Sequence, residues 1–269
     1  MAYLVFMTAH QICLAAAWMA AGVGLVAQTQ PPTLTRVGMI NVKPGRCAEW
    51  LSAFKNYDQP VLDKLLAEGT ILAWGVDVPL HHRKGFASHS YWWAVPSYAA
   101  LHKVDQARSQ AAQRINAVER DSLMALVDAA AHEDMLLRTI AANFKPVAGG
   151  VLPYTRVLMT RVLPGRGPEY LRLWQQYVKP VYEKLLADGA ILGYELMEQA
   201  ENAMEPEWRW SLALLPDLAA MDKVVAAFAA LDQKRASERL SPLAGVFTDV
   251  TVGGSRRDWI LRAAAYASR

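Results

Sequence analysis

The sequence predicts an α+β protein: two tandem βαββαβ repeats paired internally as a pseudo-dimer. Three observations carry this. The stretch 35–72 recurs at 155–192, an offset of 120, with 20 identities in 38 ungapped positions. In each copy the apolar pattern alternates between strand and helix periods in the same order. One such sheet with both helices on one side leaves its other face bare, and a second copy supplies the cover.

The repeat extends beyond its best-matched part. Thr35-Arg36-Val37 matches Thr155-Arg156-Val157, and Pro44-Gly45-Arg46 matches Pro164-Gly165-Arg166. Pro96, Ala99-Ala100 and Lys103-Val104 keep the offset with Pro216, Ala219-Ala220 and Lys223-Val224. Asp134-Met135-Leu136-Leu137-Arg138 resembles Asp258-Trp259-Ile260-Leu261-Arg262 at an offset of 124, so about four residues were gained or lost before it. The repeats are bounded at 33–146 and 151–269, with Ala148-Gly149-Gly150 as linker.

Each element has a local cause. Residues 36–42 are β-rich and stop at Pro44-Gly45, where proline presets φ and glycine accepts the reversal. From 47 to 67, Trp50, Phe54, Tyr57, Val61 and Leu65 recur every three or four residues, which places them on one helical face. Pro60 must kink or break that helix, and Gly69 ends it. A second strand is expected at 71–78, a third at 89–95, and a helix opening at Pro96-Ser97. The last strand falls at 135–141 and 259–264, with 246–252 a rival in the second copy. This order is the ferredoxin-like split βαβ unit, and two stacked sheets would enclose a barrel-like core.

Composition narrows the function classes. A formal charge of +3 with scattered Lys and Arg lacks the basic stripe of a nucleic-acid binder. Residues 1–27 carry no Asp, Glu, Lys or Arg, with His10 the one candidate for charge, are apolar from Ile12 onward, and give way to Gln28-Thr29-Gln30-Pro31-Pro32. That layout predicts a signal peptide of 1–27 and a periplasmic or secreted chain with no membrane span after cleavage; an uncleaved anchor is the competing reading. Cys47 would then be the single cysteine of the mature chain, so no disulfide framework supports the fold.

The short strand, Pro-Gly turn, long kinked helix, Gly69-Thr70-Ile71-Leu72 strand start and tandem arrangement resemble the dimeric α+β-barrel superfamily, which includes antibiotic-biosynthesis monooxygenase, EthD and NIPSNAP-type domains. The resemblance implies an internal pseudo-dimeric α+β barrel. The activities it implies are cofactor-independent oxygenation, decyclisation or isomerisation of small molecules, haem binding, or plain ligand binding. Fold alone does not choose among these.

No glycine-rich nucleotide fingerprint, P-loop, HExxH, paired CxxC or GxSxG occurs. The remaining signal is an asymmetry. His81, His82, His89, His102 and His132 all fall in the first copy, opposite Glu201, Asn202, Arg209, Asp222 and Arg256 in the second. Imidazole suits proton transfer near neutral pH, so the candidate catalytic residues are His89 and His132. Candidate ligand-binding residues are His81, His82, His89, Tyr91 and Trp93, the last three on one face of the third strand. No metal site is expected: adjacent His81 and His82 point to opposite sides of an extended chain, and no Cys or carboxylate stands at a ligand interval. The sequence identifies no cofactor.

The aromatic pairs Trp50/Tyr170, Phe54/Trp174, Tyr57/Tyr177 and Trp74/Tyr194 read as shared core. The duplicated Arg36 and Arg156 either snorkel from the strand start or point into the barrel. The leading functional expectation is binding or conversion of a small, largely apolar molecule in a barrel cavity. The alternatives are a non-catalytic protein-interaction module and a haem-binding protein. The last is weakened because tandem chlorite dismutase-like proteins carry their axial histidine in the second copy, which here has none.

Overall fold

A computed structural model describes residues 33–81, 86–147, 151–201 and 207–269. The leader expected at 1–27, the linker 148–150 and His82 lie outside the described residues.

The first half runs β1 (Leu34–Val42), α1 (Cys47–Tyr57), α2 (Gln59–Ala67), β2 (Ala73–Pro79), β3 (His89–Val95), α3 (Tyr98–Ala112), α4 (Ala117–Met124) and β4 (Val127–Phe144). The helix expected over 47–67 is broken at Asp58, so that Pro60 falls in the first turn of α2, where its missing N–H costs nothing. Gly45 and Gly69 adopt φ of 79° and 76°, the left-handed conformation their turn and helix-end roles require. Ser97 caps α3 by accepting from the Ala100 N–H at 3.2 Å.

The second half repeats the order: β5 (Tyr154–Arg161), α5 (Gly167–Leu173), a π-helical turn (Trp174–Val178), α6 (Lys179–Ala187), β6 (Gly193–Gln199), β7 (Trp208–Leu215), α7 (Ala220–Ser237), α8 (Leu243–Val246) and β8 (Arg257–Ser268). Here Pro180 is absorbed differently. A wide π turn before it keeps α5 and α6 continuous instead of breaking them. Residues 246–252 do not form the rival strand; they hold the end of α8 and one isolated bridge, Val162 to Thr251.

The eight strands close in the order β1-β3-β2-β8-β5-β7-β6-β4, every neighbouring pair antiparallel. Face-to-face stacking is the expectation that changes. The two sheets join at their edges: β4 pairs with β1 through Arg138 and with β6 from Leu137 to Phe144, and β8 joins β5 to β2 likewise. Closure pairs the edge strands with one another, which stacking would leave open. β4 is longer than the expected 135–141 because its first half, an Ala-rich run ending in His132-Glu133-Asp134, lacks the alternation that marks a strand.

Three apolar clusters follow from this closure. One lies between helices and sheet in each half, around Trp74 and Trp93 in the first and around Trp174, Tyr182 and Tyr194 in the second. The third, with Leu137, Val157, Met197 and Trp210, lies on the lumen side of the barrel. α4 buries none of its own residues.

Candidate functional site

Alternation along β3 turns His89, Tyr91 and Trp93 toward the helices and Trp92 into the lumen, where its indole N–H donates to Asp77 at 2.7 Å. Tyr91 stands opposite Gly38 on β1. Because Gly38 has no side chain, the Tyr91 ring lies flat across β1 and reaches β4, where its hydroxyl is 3.2 Å from His132 Nε2. The same nitrogen is 3.3 Å from Asp134 Oδ1, and Asp134 accepts from Arg36 Nη2 at 2.7 Å.

From the other side, α3 contributes Arg108. Its Nε and Nη2 donate to Asp58 Oδ1 at 2.9 and 2.7 Å, and its guanidinium lies 4.6 Å from the centre of the Trp93 ring and 5.5 Å from that of Tyr91. Tyr91, His132, Asp58 and Arg108 wall one side of a hollow of about 340 Å³ between sheet and helices. Trp50, Phe54, Ile115, Leu123, Met124 and Leu126 make the rest of it largely apolar. A second hollow of about 580 Å³ adjoins it and shares Tyr57, Asp58, Arg108 and Ile115 as a common wall.

The electrostatics favour one arrangement of protons. Burial pushes the Tyr91 phenol above its ordinary value, so it remains a neutral donor near pH 7. The Asp134 carboxylate beside His132 Nε2 favours a proton on that nitrogen, shared toward Asp134 and the Tyr91 oxygen. With that tautomer Tyr91 accepts from His132, and its own hydrogen is available to another acceptor.

Of the residues singled out in the sequence, Tyr91 and His132 meet on the wall of the hollow. Trp93 is buried beneath Arg108. His89 is 1% exposed, packs 5.0 Å from the Trp50 ring and lies 3.0 Å from Ser88 Oγ through Nδ1; it is core behind the wall, not part of it. His81 is exposed at the end of β2 and does not line either hollow. Arg36 neither snorkels nor enters the barrel: on the face that bears Leu34 and Gly38 it is held by Asp134, as Arg156 is by Asp258 at 2.6 Å. Arg108 and Asp58 were not singled out by sequence reading, although a signal existed, since their counterparts are Phe228 and Val178.

The matching volume of the second half is packed. Leu158 and Ser211 replace Gly38 and Tyr91 across the same register, and Tyr182 takes the place of Leu62. Phe228 packs edge-on against Tyr182 at 5.5 Å, and Phe247 against Tyr170 at 5.3 Å. Both hollows described above lie outside the barrel under the helices, on the opposite side of the sheet from the lumen cluster around Leu137, Val157, Met197 and Trp210. Among the described residues no group of three metal-ligating side chains converges. The second half has no histidine, and aromatic rings occupy its helix-sheet space.

Two acids in the lumen have no part in the hollow. Burial pushes Asp77 up to about 6 against the Trp92 hydrogen bond, and Glu195 up to about 7 against one from Thr139.

No family model and no curated relative matches the chain. Solved structures do. A protein of Fusobacterium nucleatum subsp. nucleatum provisionally assigned as a monooxygenase superposes with a TM-score of 0.62 at 12% identity, over 90% of this chain and 96% of its own. A similarly assigned protein of Lactobacillus acidophilus gives 0.60 at 10% identity over 88% and 96%, and an anthrone oxidase-like protein 0.52 at 10% over 89% and 94%. At such identities the likeness concerns the fold, which is the dimeric α+β barrel built from one chain.

Proposed function

We propose that this chain, which carries the dimeric α+β-barrel fold in tandem, is an exported protein that binds or converts one small, largely apolar molecule in the hollow between helices and sheet of its first half. The observation that carries the reading is the contact of Tyr91 with His132 on the wall of an apolar hollow whose counterpart in the other half is filled. Trp50 and Phe54 would hold the apolar body by area and ring contacts. The Tyr91 hydroxyl would donate to a polar atom of that molecule. His132, at the mouth and turned by Asp134, would exchange a proton through Nδ1 with solvent or with the molecule itself. Export rests on the uncharged, apolar segment 1–27 and the polar break after it.

Trp50 and Trp93 provide the readout. Titration with naphthol should quench their fluorescence saturably, Tyr91→Phe should weaken binding several-fold through the lost hydrogen bond, and His132→Ala should remove any turnover. Absence of saturable quenching by naphthol and by comparable bicyclic phenols in the unmodified protein would overturn the reading.

A further inference from the structure

The two halves close the space over their first helix with the same backbone and different side chains. In the first half the Leu126 N–H donates to the Leu123 carbonyl at 3.1 Å, and the Lys43 N–H to the Leu126 carbonyl at 2.9 Å. In the second the Val250 N–H donates to the Phe247 carbonyl at 3.1 Å, and the Leu163 N–H to the Val250 carbonyl at 2.9 Å. Lys43 and Leu163 stand at the repeat offset of 120. Leu123, in the last turn of α4, and Phe247, just after α8, therefore hold one position in the two copies.

The group that this position faces is also shared. Trp50 on α1 corresponds to Tyr170 on α5. Phe247 lays its ring on Tyr170, with centroids 5.3 Å apart and planes at 57°, and Tyr170 is buried. Leu123 puts no ring on Trp50; both line the hollow walled by Tyr91 and His132, and both are only half-buried. The second half thus fills from its own sequence a volume that the first leaves open.

We infer that Leu123 is the specificity-determining residue of this hollow, and that the natural ligand carries a flat six-membered aromatic ring lying on Trp50 as the Phe247 ring lies on Tyr170. This rests on the proposed binding role of the hollow. A tilted ring pair is favoured beyond the area it buries, so a saturated skeleton of similar outline binds less tightly. Leucine at 123 leaves room for the ring, whereas phenylalanine there would take that room itself.

Two calorimetric titrations of the whole chain test this. Naphthylmethanol should bind about five-fold more tightly than decahydronaphthylmethanol, which carries the same hydroxyl on a saturated skeleton. Leu123→Phe should weaken naphthol binding about ten-fold or more without lowering the melting temperature, because the added ring enters existing space. Leu123→Met, of similar volume but without a ring, should leave naphthol affinity close to that of the parent. Equal affinity for the two alcohols, naphthol binding undiminished by Leu123→Phe, or a Leu123→Phe chain that melts earlier overturns the inference, while naphthol binding to the unmodified protein leaves the role of the hollow standing. If naphthol does not bind the unmodified protein, both fall.

Discussion

Gly38 and Tyr91 face each other across β1 and β3, and a Cβ on Gly38 would lie 2.3 Å from Tyr91 Cζ. The bare glycine is what lets the phenol lie flat and reach His132, forty-one residues away on β4. Leu158 opposite Ser211 reverses the sizes in the second half and leaves no such reach.

Gly38→Ala should therefore expel the Tyr91 ring from its place. The expected cost is about 1–3 kcal/mol of overpacking, measured by denaturant unfolding, together with weakened naphthol binding. An alanine variant with unchanged stability and binding would show that the ring is free to shift.

The two halves should respond oppositely to matched substitutions. Arg108→Ala removes the group shared by both hollows and should weaken binding, with a modest loss of stability because its ion pair is partly exposed. Phe228→Ala at the equivalent position of the second half should leave binding intact and cost stability, ~2–4 kcal/mol, since the ring packs on Tyr182. Calorimetric titration and thermal melts on both variants check this.

Buried aromatic positions of the first half should behave as core. Trp74 is 1% exposed and its indole donates to Asp63 at 3.0 Å, so Trp74→Ala should cost ~3–5 kcal/mol. His89→Ala should likewise lower the melting temperature, because the imidazole is enclosed against Trp50. A variant lacking His89 that melts like the parent would contradict this core role.

Stability should fall as the pH rises from about 4 to 8. Asp77 and Glu195 have ordinary values of 3.8 and 4.5, and burial raises them to about 6 and about 7. An acid whose folded-state value is raised favours the folded chain while protonated; that contribution is complete below the unfolded value and is lost as pH passes the folded one. The combined variant Asp77→Asn and Glu195→Gln should flatten the profile and gain on the order of 2–3 kcal/mol per site at pH 8. A parent protein equally stable at pH 5 and pH 8 would contradict the burial of both acids.

If the chain is exported with cleavage as proposed, the product should begin near Gln28, which mass spectrometry of the mature chain would establish. An intact Met1 in material recovered outside the cytoplasm would contradict cleavage.

The sequence alone carried the identity between its two parts at a constant offset, the order of the strands and main helices, and the break at Pro60 in the first long helix, because these depend on short-range pattern: apolar periods of two and three to four, and residues with restricted φ. It also showed that the halves differ, through histidines present in one copy only. Which of those histidines reaches the hollow was decided by tertiary structure. Parity put His89 and Tyr91 on one face, but only the closure of β4 beside β1 brought His132 to the phenol and left His89 behind Trp50. The same holds for Arg108, placed over Tyr91 and Trp93 by the docking of α3. Edge pairing, which residues of β4 and β8 make with strands of the other half, closed the barrel, and the hollow walled by Tyr91 and His132 lies outside it under the helices of the first half. These contacts join residues tens of positions apart, and no local pattern encodes which distant partner a side chain will meet.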